Sequence, residues 1–351
     1  MDDERLGPVT LLDVAREAGV SLSTASRALN RGARQVRADL AARVLAAAET
    51  LNYSTNAQAQ AVARGKSNTI GLIVSDISDP YFSAIAAGAI RTAEEHGLVV
   101  MMACTFRRPE RELEYVSMLR GQRACGAILT GSRVTDTVLL DRLGAELDAF
   151  QRTGGRVAAI SQNKLPVDTV LIENRAAARD LAEALCQVGH RQFAVLAGPP
   201  ELMTARDRLA GFRQGLTRSQ VPLPAAHVIH GEFTRDGGYA AAREVVRRRL
   251  DVTCIFAVND VMAVGGMAAL RDRGLEPPGG IAIAGFDDIP ALRDVTPALT
   301  TVRLPLEELG VSAVDMVLQP PSDKPRLRRV QGDVVLRAST PPPGKRPAGK
   351  R

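Results

Sequence analysis

The residues best suited to chemistry sit where apolar runs end. Asp79, Tyr81 and Phe82 follow the run Thr69–Ser75, Ser161 and Gln162 end the run Arg156–Ser161, and Arg206 and Arg208 lie in TARDRLAGF. Further on come Phe233 in GEF, Asn259 and Asp260 in AVND, and Asp287 and Asp288 in GFDD. Together they offer carboxylate, amide, guanidinium and ring groups, the set that holds a polyol-like small molecule by paired hydrogen bonds and stacking. Structural roles compete for some of them. Asp79 before Pro80, and Asn259 before a helical stretch, can each be a helix N-cap; Phe82 and Phe233 can be core rings, and Asp288 can cap a turn. Arg208 opens a helical stretch, where a cation opposes the helix dipole, and that placement argues for a binding role. An enzyme is disfavoured: no GxSxG, HExxH or P-loop run occurs, and four scattered histidines offer catalysis little.

Positioning such residues takes a frame in which strand ends converge. From Ser67 onward, apolar runs at Thr69–Ser75, Leu98–Cys104, Ala124–Thr130, Arg156–Ser161, Gln192–Gly198, Val228–His230, Val252–Val258 and Ile281–Phe286 alternate with helical stretches. The helices expected are Pro80–Gly97, Pro109–Gln122, Arg175–Gly189, Ala205–Ser219, Arg235–Leu250 and Asp260–Gly274. Strands separated by helices imply right-handed crossovers and parallel sheets covered on both faces. Ligands of open sheets bind outside the carboxyl ends of the strands, and that rule selects the residues named above. The number of runs points to two such sheets side by side. Leu306–Leu318 reads as an amphipathic helix, a strand is expected at about Val330–Arg337, and PPPGKRPAGKR reads as a basic, disordered tail. No terminal leucine heptad is present, so a dimer is the economical assembly.

Ahead of this frame the pattern changes. In TLLDVAREAGVSLSTASRALN, Thr10 and Asp13 have capping-box spacing, and Leu11, Val14, Ala15 and Ala18 share a helical face. Gly19 supplies a turn, and Ser21 offers an N-cap to a second helix carrying Leu22, Ala25, Ala28 and Leu29 at helical spacing. Two helices this short need a third, which Arg37–Leu51 provides. The result is a helix-turn-helix unit. Ser21, Ser23, Thr24, Ser26 and Arg27 make its second helix slim and rich in donors, suited to a major groove rather than to a core.

The whole chain has 351 residues and a formal net charge of +6, a balance that suits a polyanionic partner. Its four cysteines, Cys104, Cys125, Cys186 and Cys254, have neither CxxC nor metal-ligand spacing and are expected to be reduced core residues. The acidic start MDDERLGP lacks the apolar run of a signal peptide, and no segment is long enough to span a membrane, so a cytoplasmic protein is expected, with no cofactor.

VTLLDVAREAGVSLSTASRALN resembles the DNA-binding signature of the LacI/GalR family of bacterial repressors, and the similarity continues through Leu51-Asn52-Tyr53, Asn56 and Asn68-Thr69-Ile70-Gly71 to about residue 337. The resemblance implies an α/β protein: an all-α helix-turn-helix headgroup at residues 9–53, a hinge at 54–66, and at 67–338 a two-subdomain, periplasmic-binding-protein-like effector domain with parallel sheets. Residues 339–351 form the tail. It implies a homodimer on a pseudopalindromic double-stranded operator, controlled by a small molecule bound in the cleft. That effector is expected to be a sugar or sugar derivative, and the family's alternative is a corepressor such as a nucleobase.

By the same resemblance, Leu22, Ser23 and Arg27 read bases, while Thr10, Ser21, Thr24, Ser26 and Asn30 contact phosphates or cap the helix. Asn56, Ala59 and Val62 belong to the hinge helix, where Val62 stands in place of the family's minor-groove leucine and Thr55 in place of proline. Arg37 replaces the usual N-cap serine of the third helix. Asp79, Tyr81, Phe82, Ser161, Arg208, Phe233, Asn259 and Asp287 match effector-contacting positions. One departure concerns Ile160-Ser161-Gln162, which replaces an aspartate-bearing run of many sugar-responsive relatives. A solute receptor is the rival reading, disfavoured by the attached headgroup.

Overall fold

The computed structural model describes residues 9–29, 36–54, 67–275, 277 and 279–343. Asn30, Asn56, Ala59, Val62 and the end of the basic tail lie outside the described residues. The chain divides into two compact units, residues 1–67 and 68–351.

In the first unit, α1 (Leu11–Glu17), α2 (Leu22–Leu29) and α3 (Ala38–Thr50) enclose a core of small side chains. Val14, Ala25 and Val44 are fully buried, with Ala15, Ala18, Ala47 and Ala48 around them. The capping box forms: Thr10 Oγ1 accepts from the Asp13 amide, and Asp13 Oδ2 accepts from the Thr10 amide at 3.0 Å. Gly19 makes the turn with φ +61°, and a Cβ there would lie 2.6 Å from the Arg43 guanidinium, which itself donates to the Ala18 carbonyl. Glycine meets that backbone conformation without strain and leaves the Arg43 contact undisturbed. Arg37 caps α3 without a side-chain hydrogen bond and pairs instead with Asp39 at 3.0 Å.

The second unit holds two parallel sheets. In chain order its first elements are β1 (Thr69–Val74), α4 (Pro80–Glu95), β2 (Val99–Cys104), α5 (Arg111–Gly121), β3 (Gly126–Thr130), α6 (Thr137–Arg152), β4 (Arg156–Ile160), β5 (Asp168–Ile172) and α7 (Asn174–Val188). They continue as β6 (Phe193–Ala197), α8 (Met203–Arg218), β7 (Val228–His230), α9 (Arg235–Arg247), β8 (Cys254–Ala257), α10 (Asp260–Arg271) and β9 (Ala282–Ala284). The chain closes with β10 (Thr301–Arg303), α11 (Leu306–Leu318), β11 (Leu327–Val330) and β12 (Asp333–Val335). The first sheet has the order β11-β5-β4-β3-β1-β2 and the second β7-β6-β8-β9, every pair parallel. All-parallel pairing explains strands such as β3 and β6, buried along their whole length, with β6 apolar throughout rather than alternating.

The closing segment departs from the single strand expected at 330–337. It forms β11, which joins the edge of the first sheet beside β5, and β12, which pairs antiparallel with β10. The intervening Gln331-Gly332 lets the chain change direction, and a Cβ at Gly332 would meet Val302 at 2.5 Å. Helix α11 also returns to the first lobe: it crosses α4 so closely that a Cβ at Gly310 would lie 2.1 Å from the Ile85 carbonyl, and one at Gly88 2.0 Å from that of Glu307. Three elements had no expectation from sequence, α6 with its Asp136 N-cap, β5 and the short β10.

No disulfide joins the cysteines among the described residues, and Cys186 and Cys254 are buried. No helix of the described residues is long and apolar enough to cross a membrane.

Candidate functional site

Between the carboxyl ends of the two sheets lies a cavity of about 560 Å³. Asp79, Tyr81, Phe82, Ser161, Arg208, Phe233, Asn259 and Asp287 all line it, so residues spread over two lobes converge as the strand-end rule expects. Gln162 lines it too, but is occupied: its Oε1 accepts from the Arg133 amide at 2.9 Å and its Nε2 donates to Thr204 Oγ1 at 2.8 Å.

The centre of the site is Arg208. Its Nε donates to Asn174 Oδ1 and one terminal nitrogen to the Val258 carbonyl, both at 2.8 Å, the other terminal nitrogen forms an ion pair with Asp287 Oδ1 at 2.8 Å, and the guanidinium lies 3.8 Å above the centre of the Phe286 ring. A guanidinium has five N–H donors, and these two hydrogen bonds use only two of them. Arg208 is the sixth residue of α8, not its opening residue as the sequence suggested, because the helix starts earlier at Met203. The unfavourable-dipole argument therefore does not apply, and the buried polar cluster replaces it as the reason for a cation here.

Asp287 and Asp288 both have positive φ, +127° and +56°. Non-glycine residues in that region are strained and persist only where surroundings fix them. Here the Asp287 amide donates to Val302 O at 2.9 Å and the Leu304 amide to Asp287 O at 3.2 Å. Asp288 does not cap a turn. Its side chain is fully buried between Arg303 Nε at 2.8 Å and Arg337 at 2.7 Å. Burial alone would raise the Asp288 carboxyl, but the hydrogen bonds from Arg337 and Arg303 hold it below the usual range.

Three other carboxyls at or behind the cavity are raised, in each case chiefly by burial. Asp79 is raised although Tyr81 N–H and Arg107 oppose it, and Asp287 is raised well above the ordinary value although Arg208 opposes it. Asp260 is pushed up to about 7 while its two oxygens accept from Thr301 Oγ1 at 2.7 Å and the Ile289 amide at 3.0 Å. Burial also raises the Tyr81 phenol, helped by the charges of Asp287 and Asp79.

The structural roles proposed for the caps coexist with cavity placement. Asp79 Oδ1 accepts from the Tyr81 amide at 3.0 Å, and Asn259 Oδ1 from the Met262 amide at 2.9 Å. Phe82 is both a core ring and a lining residue, edge-on to Tyr81 at 4.9 Å between centroids. Phe233 packs on Gly198, where a Cβ would lie 2.5 Å from its ring.

Sequence reasoning missed Asn174 and Arg107. Asn174 opens α7 two residues past the end of β5, and with that strand unread the residues beyond its carboxyl end were never considered. Arg107 has φ +62° and reaches Asp76 at 3.2 Å and Asp79 at 3.7 Å. One rim of the cavity is a clasp between lobes: Val134 bridges Leu202 antiparallel, Met203 N donates to Arg133 O at 2.9 Å, Thr135 N to Glu201 O at 3.1 Å, and Thr204 N to Ser132 Oγ at 3.0 Å.

On α2, Ala25 points into the headgroup core while Leu22, 48% exposed, Ser23 and Arg27 face out. Ser21 Oγ accepts from the Thr24 amide at 3.2 Å, so it caps the helix, and lies 3.0 Å from Ser23 Oγ and 2.9 Å from Thr24 Oγ1. Arg27 folds back along the helix, its Nε donating to the Ser23 carbonyl at 3.0 Å.

Residues 10–56 match a family model described as bacterial regulatory proteins, lacI family, and residues 67–337 match one described as periplasmic binding proteins and sugar binding domain of LacI family. Among curated relatives, the HTH-type transcriptional regulator GalS of Salmonella typhimurium is 32% identical over 89% of both chains. Among solved structures, the lac repressor dimer bound to operator and the anti-inducer ONPF has a TM-score of 0.81 and 29% identity, covering 95% of this chain and 100% of that one. A complex of the transcriptional regulator CelR with cellobiose has a TM-score of 0.69 and 27% identity over 94% and 99% of the two chains. The relatives are transcriptional regulators, not enzymes. With a helix-turn-helix unit ahead of two parallel lobes and a buried polar cleft, matched along nearly its whole length, the chain belongs to the LacI family of bacterial DNA-binding transcriptional regulators.

Proposed function

We propose that the protein is a dimeric, cytoplasmic repressor of a catabolic operon, and that a sugar or sugar derivative in the cleft controls its grip on a pseudopalindromic operator. The observation that carries this reading is the convergence of all eight candidate residues on one cavity around Arg208 and Asp287. In that reading, Asp287, Arg208 and Asn259 bind ligand hydroxyls, and Tyr81, Phe82 and Phe233 flank its ring. Ser161 supplies a hydroxyl where an aspartate is common, so it contributes a weaker acceptor. Asp79 orders the wall by capping α4. The cellobiose carried by CelR is a precedent for such a ligand.

On the DNA side, Leu22, Ser23 and Arg27 face a base edge, with Leu22 limited to a thymine methyl or to excluding a base. Thr10, Ser21, Thr24 and Ser26 serve the phosphates and the cap. Asn30, Asn56, Ala59 and Val62 complete the set from its flanks and the hinge. Dimerisation is supported by the edge strand β2, where Val99, Met101 and Met102 are 58%, 44% and 38% exposed, with Ile90 of α4 43% exposed nearby. An exposed apolar edge of a sheet is a surface that a second copy covers. Ligand binding changes the relative pose of the lobes and hence operator affinity, a coupling of typically ~1–3 kcal/mol.

The test is genomic footprinting with the purified protein, followed by anisotropy on the protected site. Arg27→Ala is expected to lose the preferred site while keeping its helical circular dichroism. Retention of that site by the variant removes α2 from the reading of DNA.

A further inference from the structure

Beyond β9 the chain turns through Asp287 at φ +127° and Asp288 at φ +56°, and the two side chains go to different places. Asp287 lines the cavity and pairs with Arg208 at 2.8 Å, and the ring of Phe286, one residue earlier, lies 3.8 Å from the same guanidinium. Asp288 is outside the cavity lining, its carboxylate fully buried between Arg303 Nε at 2.8 Å and a terminal nitrogen of Arg337 at 2.7 Å. Arg303 is 49% exposed and Arg337 13%, so water screens the first pair far more than the second. Arg337 in turn is fixed by the closing segment. The same nitrogen donates to the Leu299 carbonyl at 2.8 Å, and the Arg337 amide donates to Thr300 Oγ1 at 2.7 Å. Two residues on, the buried Ser339 donates through its amide to the Ala298 carbonyl at 3.0 Å and through its hydroxyl to the Ile283 carbonyl at 2.7 Å, while that hydroxyl accepts from the Thr300 amide at 2.8 Å.

A backbone as strained as that of Asp287 persists only while its surroundings over-determine it. Two of the restraints are local: its amide donates to the Val302 carbonyl at 2.9 Å, and its carbonyl accepts from the Leu304 amide at 3.2 Å. The third is the anchor on the next residue. Without Arg337, Asp288 keeps the half-exposed Arg303, and its carboxylate gains by turning toward water. That movement carries residues 286–288 with it, so both groups that hold Arg208 from this side shift. We infer that Arg337 is a positioning residue for the ligand site: acting through Asp288, it fixes the elbow at residues 287–288 so that Asp287 and Phe286 meet Arg208 in the geometry a ligand requires. The site is thus completed from the closing segment, 50 residues beyond Asp287. The inference rests on the cleft being the effector site, as proposed above.

The experiment reads hydrogen exchange at single amides in the full-length, ligand-free protein and its variants. Arg337→Met is expected to speed exchange at the Asp287 and Leu304 amides about tenfold or more while β6 and β8 stay protected. Arg337→Lys stays near wild type, since a single nitrogen serves both Asp288 and the Leu299 carbonyl. Ser339→Ala loosens the same segment without touching Asp288, and is expected to speed exchange at Thr300 but not at Asp287. Asp288→Asn removes the anchor from the other side and gives the same local rise as Arg337→Met, which covers an Arg337→Met protein that does not fold. Titration calorimetry with cellobiose and D-ribose follows. A sugar that binds the wild type is expected to bind Arg337→Met about tenfold more weakly or worse, and Ser339→Ala within about twofold. Unchanged exchange at Asp287, a rise spread evenly over the second unit, or a sugar held equally by Arg337→Met and wild type overturns the inference, as do equal losses of affinity in Arg337→Met and Ser339→Ala. Failure of both sugars to bind the wild-type protein counts against the effector reading, and the exchange result alone then decides the role of Arg337.

Discussion

Arg208 and Asp287, 79 residues apart in sequence, meet at 2.8 Å with both side chains almost wholly buried, 3% and 7% exposed. A pair in that setting costs desolvation of both charges, and it persists because each partner is held by further bonds: Arg208 by Asn174, Val258 and the Phe286 ring, Asp287 by Val302 and Leu304. Lysine keeps the charge but has neither the fork nor the planar face, so it cannot reach Asn174, Val258 and Asp287 at once. Arg208→Lys is therefore expected to lose ligand binding and to destabilise the second unit by about 2–4 kcal/mol, less than full loss of the cation. Chemical denaturation read beside calorimetry checks both effects, and a variant of unchanged stability contradicts the role given to the pair.

A second expectation concerns pH. Asp260, raised to about 7 by burial, binds a proton in the folded state at pH values where the unfolded carboxyl, near 3.9, has lost it. Between those values the folded protein holds more protons, so stability falls as pH rises, by at most about 1.4 kcal/mol per pH unit, and levels off above about pH 7. Asp287, raised in the same direction, adds to the slope. In Asp260→Asn, the amide can turn to accept from Ile289 N–H and donate to Thr301 Oγ1, so the variant is expected to fold and to show a shallower decline across pH 5–7. Denaturant midpoints measured through that window check it.

Much of this was legible in the sequence because the signals were local. The Thr10–Asp13 box, the Gly19 turn and the Leu306–Leu318 helix depend on neighbouring residues and appear where expected. The strand-end rule likewise brought Asp79, Arg208, Asn259 and Asp287 to one list without any knowledge of how the lobes face each other. What escaped depends on distant parts of the chain. Asn174 matters only because Arg208 reaches it across 34 residues, and Asp288 is bound by Arg303 and by Arg337 near the chain end. The split of the closing segment into β11 and β12 reflects return to two different sheets, which no local periodicity encodes.

The clasp between the lobes supports a third expectation. Ser132 Oγ accepts from the Thr204 amide at 3.0 Å, and Thr204 Oγ1 accepts from Gln162 Nε2 at 2.8 Å, so one threonine ties both sides of the first lobe to the start of α8. Loss of a single such bond costs about 0.5–1.5 kcal/mol, too little to unfold the unit but enough to loosen a rim. Thr204→Val and Ser132→Ala are expected to raise hydrogen exchange at residues 202–205 while leaving β6 and β8 protected. Exchange unchanged at the rim shows that the backbone bridge of Val134 and Leu202 holds it alone.

The last expectation tests the return of the chain to its first lobe. Helices α4 and α11 touch through their backbones at two points, and at both the residue is glycine: Gly88 faces Glu307 O and Gly310 faces Ile85 O. A methyl group at either would lie about 2 Å from a carbonyl oxygen, which is rigid backbone and cannot turn aside, so the helices must separate. Separation opens the core that Leu309, Ala313 and Val314 fill, and it also draws Glu307 from Arg91, which it meets at 2.8 Å. Overpacking of this kind costs about 1–3 kcal/mol or more, well above the gain that alanine brings to an ordinary helix position. Gly310→Ala is therefore expected to lower the melting temperature of the second unit, where helix propensity alone predicts a rise. Since α11 and β11 are the only late elements of the first lobe among the described residues, the same substitution should loosen the pairing of Leu327–Val330 with Thr169–Ile172. Hydrogen exchange at those strand amides reads that effect directly, and a Gly310→Ala protein with raised stability and unchanged strand protection excludes the close crossing.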